Sequence, residues 1–78
     1  MARSRFTIKI SHTDIKYYED RITGMIIWPE MYVWSNGHIE KEYRIYKKYP
    51  ETFQEYENPF ETFYHLKNAR KYIMEGGK

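Results

Sequence analysis

The stretch NPFETFYHLKNARKYIMEGG, residues 58–77, carries the densest set of helix signals in the chain. Asn58 can accept from the free amides of a first helical turn. Pro59 suits the first helical position, where its missing N–H would have no partner, and Glu61 completes an Asn-x-x-Glu form of the capping box. Phe63, Leu66, Ala69 and Ile73 then recur at the spacing of one helix face. Lys67, Arg70 and Lys71 lie towards the negative end of the helix dipole, and Gly76 offers a left-handed stop. The pattern predicts a C-terminal helix over about 59–75 with a single apolar stripe. That stripe needs a sheet to cover.

Working outward from the helix, the rest of the chain reads as strands. Residues 5–11 alternate, with Phe6, Ile8 and Ile10 on one side and Arg5, Thr7 and Lys9 on the other, as in a half-buried strand. Residues 12–22 fit a second strand, in which Ile15, Tyr17 and Glu19 alternate with Lys16, Tyr18 and Asp20. They also fit a short helix capped by Thr13, and the Tyr-Tyr pair favours the strand. Met25 to Trp28 is a short apolar run that Pro29 is expected to end by removing a ladder donor. Residues 31–35 resume as a strand, and Asn36-Gly37 signals a type I′ hairpin turn. Residues 38–49 return, with Ile39, Lys41, Tyr43, Ile45 and Lys47 on one face and Glu40, Glu42, Arg44, Tyr46 and Lys48 on the other. Residues 50–57 suit either an edge strand or one helical turn begun by Pro50. The expectation is a single α+β domain over 1–78, an antiparallel sheet of four or five strands packed on one C-terminal helix, with residues 1–4 as a flexible tail.

Composition narrows the means of stabilisation and the function classes. The chain has 78 residues, near the lower limit for a self-supporting core, and no cysteine to staple it. Nine Tyr, four Phe and two Trp must supply the buried area. Buried tyrosines need hydroxyl partners, so several are expected at the surface, where such residues favour binding. A net charge of +2 gives no general electrostatic grip on nucleic acid. The start of the chain lacks an apolar run of the signal-peptide kind, and no segment is long enough to span a bilayer. The expected location is the cytoplasm, with no membrane partner.

No catalytic or metal motif stands out. His12, His38 and His65 are far apart and fall on different expected elements, and no thiolate could complete a zinc site. The four glycines are scattered as turn and cap residues rather than gathered in a phosphate loop, and no serine sits in a nucleophile elbow. The expectation is a non-enzymatic protein without metal or cofactor.

Two arrangements point to binding instead. Met25, Ile26, Ile27, Trp28, Met31, Tyr32, Val33 and Trp34 exceed what one strand can send into one core, because only alternate residues face the helix. The surplus suggests a protein interface with Trp28, Tyr32 and Trp34 as anchors, or a homodimer formed through residues 25–34. Glu51, Glu55 and Glu57, with Glu61 beyond, could steer a basic protein partner. The rival is a nucleic-acid surface in which Arg44, Tyr46 and Lys48 form a stacking and phosphate-contact strip, helped by Arg3 and Arg5. Glu40 and Glu42 on the same face oppose it. A three-stranded sheet followed by a helix is similar in topology to small DNA-binding domains of integrases and of some plant regulators. That likeness implies a sheet laid in the major groove. Short, Tyr- and Lys-rich, motif-free chains also resemble accessory proteins of bacteriophages, which implies blocking a host protein. The reading taken forward is a protein-binding module of the inhibitor or adaptor kind.

Overall fold

The computed structural model describes residues 4–76. Arg3, named above as a nucleic-acid contact, lies outside the described residues. The elements run β1 (Phe6–Ile10), β2 (Lys16–Asp20), β3 (Ile26–Val33), β4 (Ile39–Tyr46), α1 (Phe53–Tyr56), β5 (Glu61–Phe63) and α2 (Leu66–Met74). All five strands form one antiparallel sheet in the order β1-β2-β3-β4-β5. The α+β reading of a sheet backed by a C-terminal helix is therefore the observed fold. Residues 12–22 take the strand alternative as β2, and residues 50–57 take the helical one as α1, which begins at Phe53 behind a Thr52 cap and not at Pro50.

The sheet is covered on both faces at one end. On one face α2 buries Ala69 and Ile73 against Phe6, Ile27 and Ile45, with Tyr18, Tyr43, Phe63 and Leu66 packed around them. On the other face residues 47–57 fold back over Tyr17, Ile26, Trp28 and Tyr46, and Tyr49 and Tyr56 close that cluster. Trp28 stacks on Tyr17 at 5.5 Å, and Tyr56 meets the indole edge-on at 6.1 Å. The tyrosine hydroxyls find partners at the margin. Tyr46 donates to the Tyr56 carbonyl at 2.6 Å, and Tyr49 bonds His12 Nδ1 at 3.0 Å. The two layers account for the surplus of apolar residues in 25–28, since Met25 and Ile27 serve one cluster while Ile26 and Trp28 serve the other.

Three local expectations need correction. The helix begins at Leu66 behind His65, not at Pro59. Residues 61–63 pair with β4 instead, Tyr43 opposite Phe63 and Ile45 opposite Glu61, and the Phe60 amide donates to Ile45 at 2.7 Å. Thr62 and Phe63 suit a strand, and beside the open edge of β4 they gain ladder bonds that an isolated helical turn cannot match. Asn58 closes α1 from its C-terminal side, donating Nδ2 to the Gln54 carbonyl at 2.7 Å. Second, Pro29 does not end a strand. The Trp34 amide donates to His38, so alternation points the nitrogens of residues 26, 28, 30 and 32 at β4 and that of Pro29 away from it. Pro29 instead ends the β2–β3 ladder, which spans only Tyr18–Ile27 and Glu19–Ile26. Third, the Asn36-Gly37 hairpin uses a three-residue loop. Gly37 donates to Trp34 at 2.9 Å and has φ +88°, while Asn36 does not adopt positive φ. This is a type I turn with a glycine bulge rather than type I′.

An ion pair with one buried partner, Asp20, fastens the first hairpin. Arg5 donates from Nε and Nη2 to the two carboxylate oxygens of Asp20 at 2.6 and 2.9 Å. The Thr23 hydroxyl and the Thr23 and Ile22 amides also donate to Asp20, so the fully buried carboxylate is satisfied by the strand and by the turn that follows. Burial alone would push its pKa up. The donors, Arg5 first, outweigh that and hold it at about 2.

Candidate functional site

The two hairpin tips, at residues 11–15 and 34–38, lie at the end of the sheet that α2 does not reach. β3 and β4 each have eight residues, about 26 Å of strand. The nine residues of α2 span about 14 Å. The register therefore leaves half of the helix-side face uncovered. On the first hairpin it carries Ile8 and Ile10, opposite Tyr18 and Lys16. On the second it carries Pro29, Met31 and Val33, opposite Tyr43, Lys41 and Ile39. Ile8, Ile10, Met31, Val33 and Ile39 are between 55 and 66 % exposed. Alternation puts no acid of β1 to β4 on this side except buried Asp20, so Lys16 and Lys41 set its charge.

The opposite side of the same outer half is polar. Glu30, Glu40 and Glu42 share it with Tyr32 and Arg44. Arg44 donates from Nη2 to the Tyr32 hydroxyl at 2.6 Å, lies 3.4 Å from Glu42 and sits over the Tyr56 ring. Desolvation opposes the guanidinium charge, but the surrounding Tyr46, Tyr32 and Glu42 groups more than compensate and hold its pKa above the usual value. Burial pushes the Tyr46 phenol up as well, with Arg44 drawing it back. The outer half thus has an apolar, basic face and an acidic one.

The expected anchors separate. Trp28 is only 5 % exposed and donates Nε1 to Glu30 at 3.0 Å, so it is a core residue and not an anchor. Tyr32 is partly exposed but bound to Arg44. Trp34 is exposed at the hairpin tip. Of the run proposed as a dimer contact, residues 25–28 are taken up by the two clusters. Glu51, Glu55 and Glu57 are exposed on the 47–57 layer, away from the apolar half-face, and Glu55 accepts from the Glu51 amide at 2.9 Å. The stacking strip is not open. Tyr46 is buried under α1, Arg44 is held by Glu42 and Tyr32, and Lys48 alone is free to solvent. Arg5 is spent on Asp20.

Sequence alone does not mark Ile8, Ile10 and Ile39 as site residues, because a strand alternation gives no warning that the covering helix will stop short. Comparison of the chain with protein-family models, with curated proteins and with solved structures finds no match. The face must be read from its own chemistry. A groove of about 680 Å³ runs beside Lys47, Lys48, Pro50 and Phe60, where Lys47 Nζ stands 4.6 Å from the Phe60 ring centre. It is open to solvent, and Thr52, Gln54, Glu55 and Asn58 also line it. Among the described residues no group of three or more His, Asp or Glu is gathered to hold a metal ion, and no helix is long and apolar enough to cross a membrane.

Proposed function

We propose that this chain is a non-enzymatic protein-binding module that docks a protein partner on the uncovered half of its helix-side face. The observation that carries this reading is the set Ile8, Ile10, Met31, Val33 and Ile39, all well exposed on one face beside Lys16 and Lys41. Leaving such side chains in water forgoes about 25 cal/mol per Å² of burial, and contiguous apolar surface of this kind marks interaction sites. The lysines and the lack of exposed acids on that side of β1 to β4 favour a partner segment with an apolar stripe flanked by carboxylates. Trp34, at the tip, falls by alternation on the opposite side with Tyr32 and is not counted in this face. A module of this size acts by occupying or bridging its partner, as an inhibitor or adaptor does. The nucleic-acid reading has less support, since Tyr46 is buried and Arg44 is committed within the fold.

The test is capture from lysate with the intact chain, with and without nuclease, beside Val33→Glu and Trp34→Ala. Both positions are exposed, so the thermal midpoint of each variant should stay within a few degrees of the parent. A protein that survives nuclease and is lost at least tenfold with Val33→Glu supports the reading. Capture that vanishes with nuclease, or that Val33→Glu leaves unchanged, would overturn it.

A further inference from the structure

The sheet has several stretches of open edge among the described residues, and most of them are guarded. The outer part of β4 that β5 leaves unpaired carries Glu40, Lys41 and Glu42. β5 is three residues long, carries Glu61 and follows Pro59. The outer part of β3 that β2 leaves unpaired contains Pro29. Short strands, charge and proline are the usual means of blocking edge pairing. β1 is less guarded, since it has no proline and its one charge, Lys9, is turned to its own neighbour. Its five residues pair regularly with β2, without bulge or proline, and Lys9 is drawn back to Glu19 at 2.9 Å. The Arg21 amide donates to the Arg5 carbonyl and the Ser11 amide to Ile15, so the odd residues of β1 bond inward to β2. By alternation the backbone groups of Phe6, Ile8 and Ile10 point outward. Ser4 Oγ accepts from the Phe6 amide. The amides of Ile8 and Ile10 have no partner among the described residues.

We propose that a second copy of this chain pairs along β1, antiparallel and centred on Ile8. This goes beyond the partner-docking reading and does not depend on it. The register follows from charge. Centring on Lys9 would set two lysines directly opposite, and centring on Thr7 would set Arg5 against Lys9; like charges in these positions are destabilising. Centring on Ile8 puts Ile8 opposite its own copy, Phe6 opposite Ile10, and Thr7 opposite Lys9. No like charges meet. The same register makes residues 6, 8 and 10 the hydrogen-bonded pairs, which are the positions whose backbone groups point outward. It also brings the exposed Ile8 and Ile10 of both copies together on one face. The contact is isologous, and its closed twofold leaves β1 no further edge to offer.

The absence of cysteine makes the register directly testable. In a non-hydrogen-bonded antiparallel pair the Cα atoms lie about 4.5 Å apart, within disulfide reach. Thr7→Cys mixed with Lys9→Cys should therefore form a mixed disulfide dimer on mild oxidation, in at least tenfold excess over either variant alone. Sedimentation of the parent chain into the millimolar range should show a monomer–dimer equilibrium. Ile8→Pro removes an outward donor without touching the β1–β2 ladder, so it should remain folded by circular dichroism and be monomeric throughout. Val33→Glu, on the other hairpin, should leave the dimer unchanged. A parent chain that stays monomeric, a dimer indifferent to Ile8→Pro, or Thr7→Cys joining to itself as readily as to Lys9→Cys would overturn the proposal.

Discussion

Asp20 is fully buried and depends on its donors for its charge. Its pKa, held at about 2 against an ordinary carboxylate value near 3.9 in the unfolded chain, makes a linkage statement. The unfolded chain binds the proton first as pH falls, so the contribution is complete above about pH 4 and is lost between pH 4 and 2. Its size is about 2 kcal/mol. Urea midpoints measured across that window should fall in the parent chain and fall less steeply in Asp20→Asn. Asp20→Asn should itself lower stability near neutral pH, because it replaces the carboxylate that Arg5, the Thr23 hydroxyl and the turn amides all donate to. Equal slopes for the two proteins would contradict the assignment. The sequence marks Asp20 only as a poor strand residue; that Arg5, one residue before its ladder partner Phe6, reaches it is a matter of register.

Elements differ in how far their own residues decide them. The first strand and the hairpin closed at Asn36-Gly37 are legible from alternation and turn chemistry, and both are observed. The start of α2 is not, because residues 58–61 have sound capping chemistry that loses to ladder pairing with β4. Residues 47–57 are harder still, for their structure is a layer held by a few contacts. Tyr46 Oη to the Tyr56 carbonyl is one of them, and the Thr52 side chain accepts from the Glu55 amide as the cap of α1. Tyr46→Phe should cost about 1 kcal/mol of global stability. It should also raise amide exchange in residues 53–57 more than in β3. An even change across the chain would mean that this layer does not move as a unit.

At the largest scale, the two clusters sit on opposite faces of one end of the sheet, while among the described residues nothing covers the apolar side of the other end. Local stability should follow that division. The amides of Ile26 and Trp28 bond to β4 between the two layers, whereas those of Glu30 and Tyr32 bond to it in the outer half. Exchange of the latter pair should be at least about tenfold faster in the free chain. A bound partner on Met31 and Val33 should slow it, while an isolated β1 contact should not. Uniform protection along β3 would show that the outer half is as stable as the inner.

By itself the sequence determined the class of fold, the face assignments of β1 and β4, the central hairpin and the apolar stripe of Leu66, Ala69 and Ile73. These depend on period and on residues with special backbone preferences, which act over a few positions. Tertiary structure alone decided that two layers divide residues 25–28, that α2 stops short of Ile8 and Val33, and that Tyr46 is inside while Trp34 is outside. The reason is one of range. Alternation says which residues share a face, but whether that face is covered depends on where a distant segment ends.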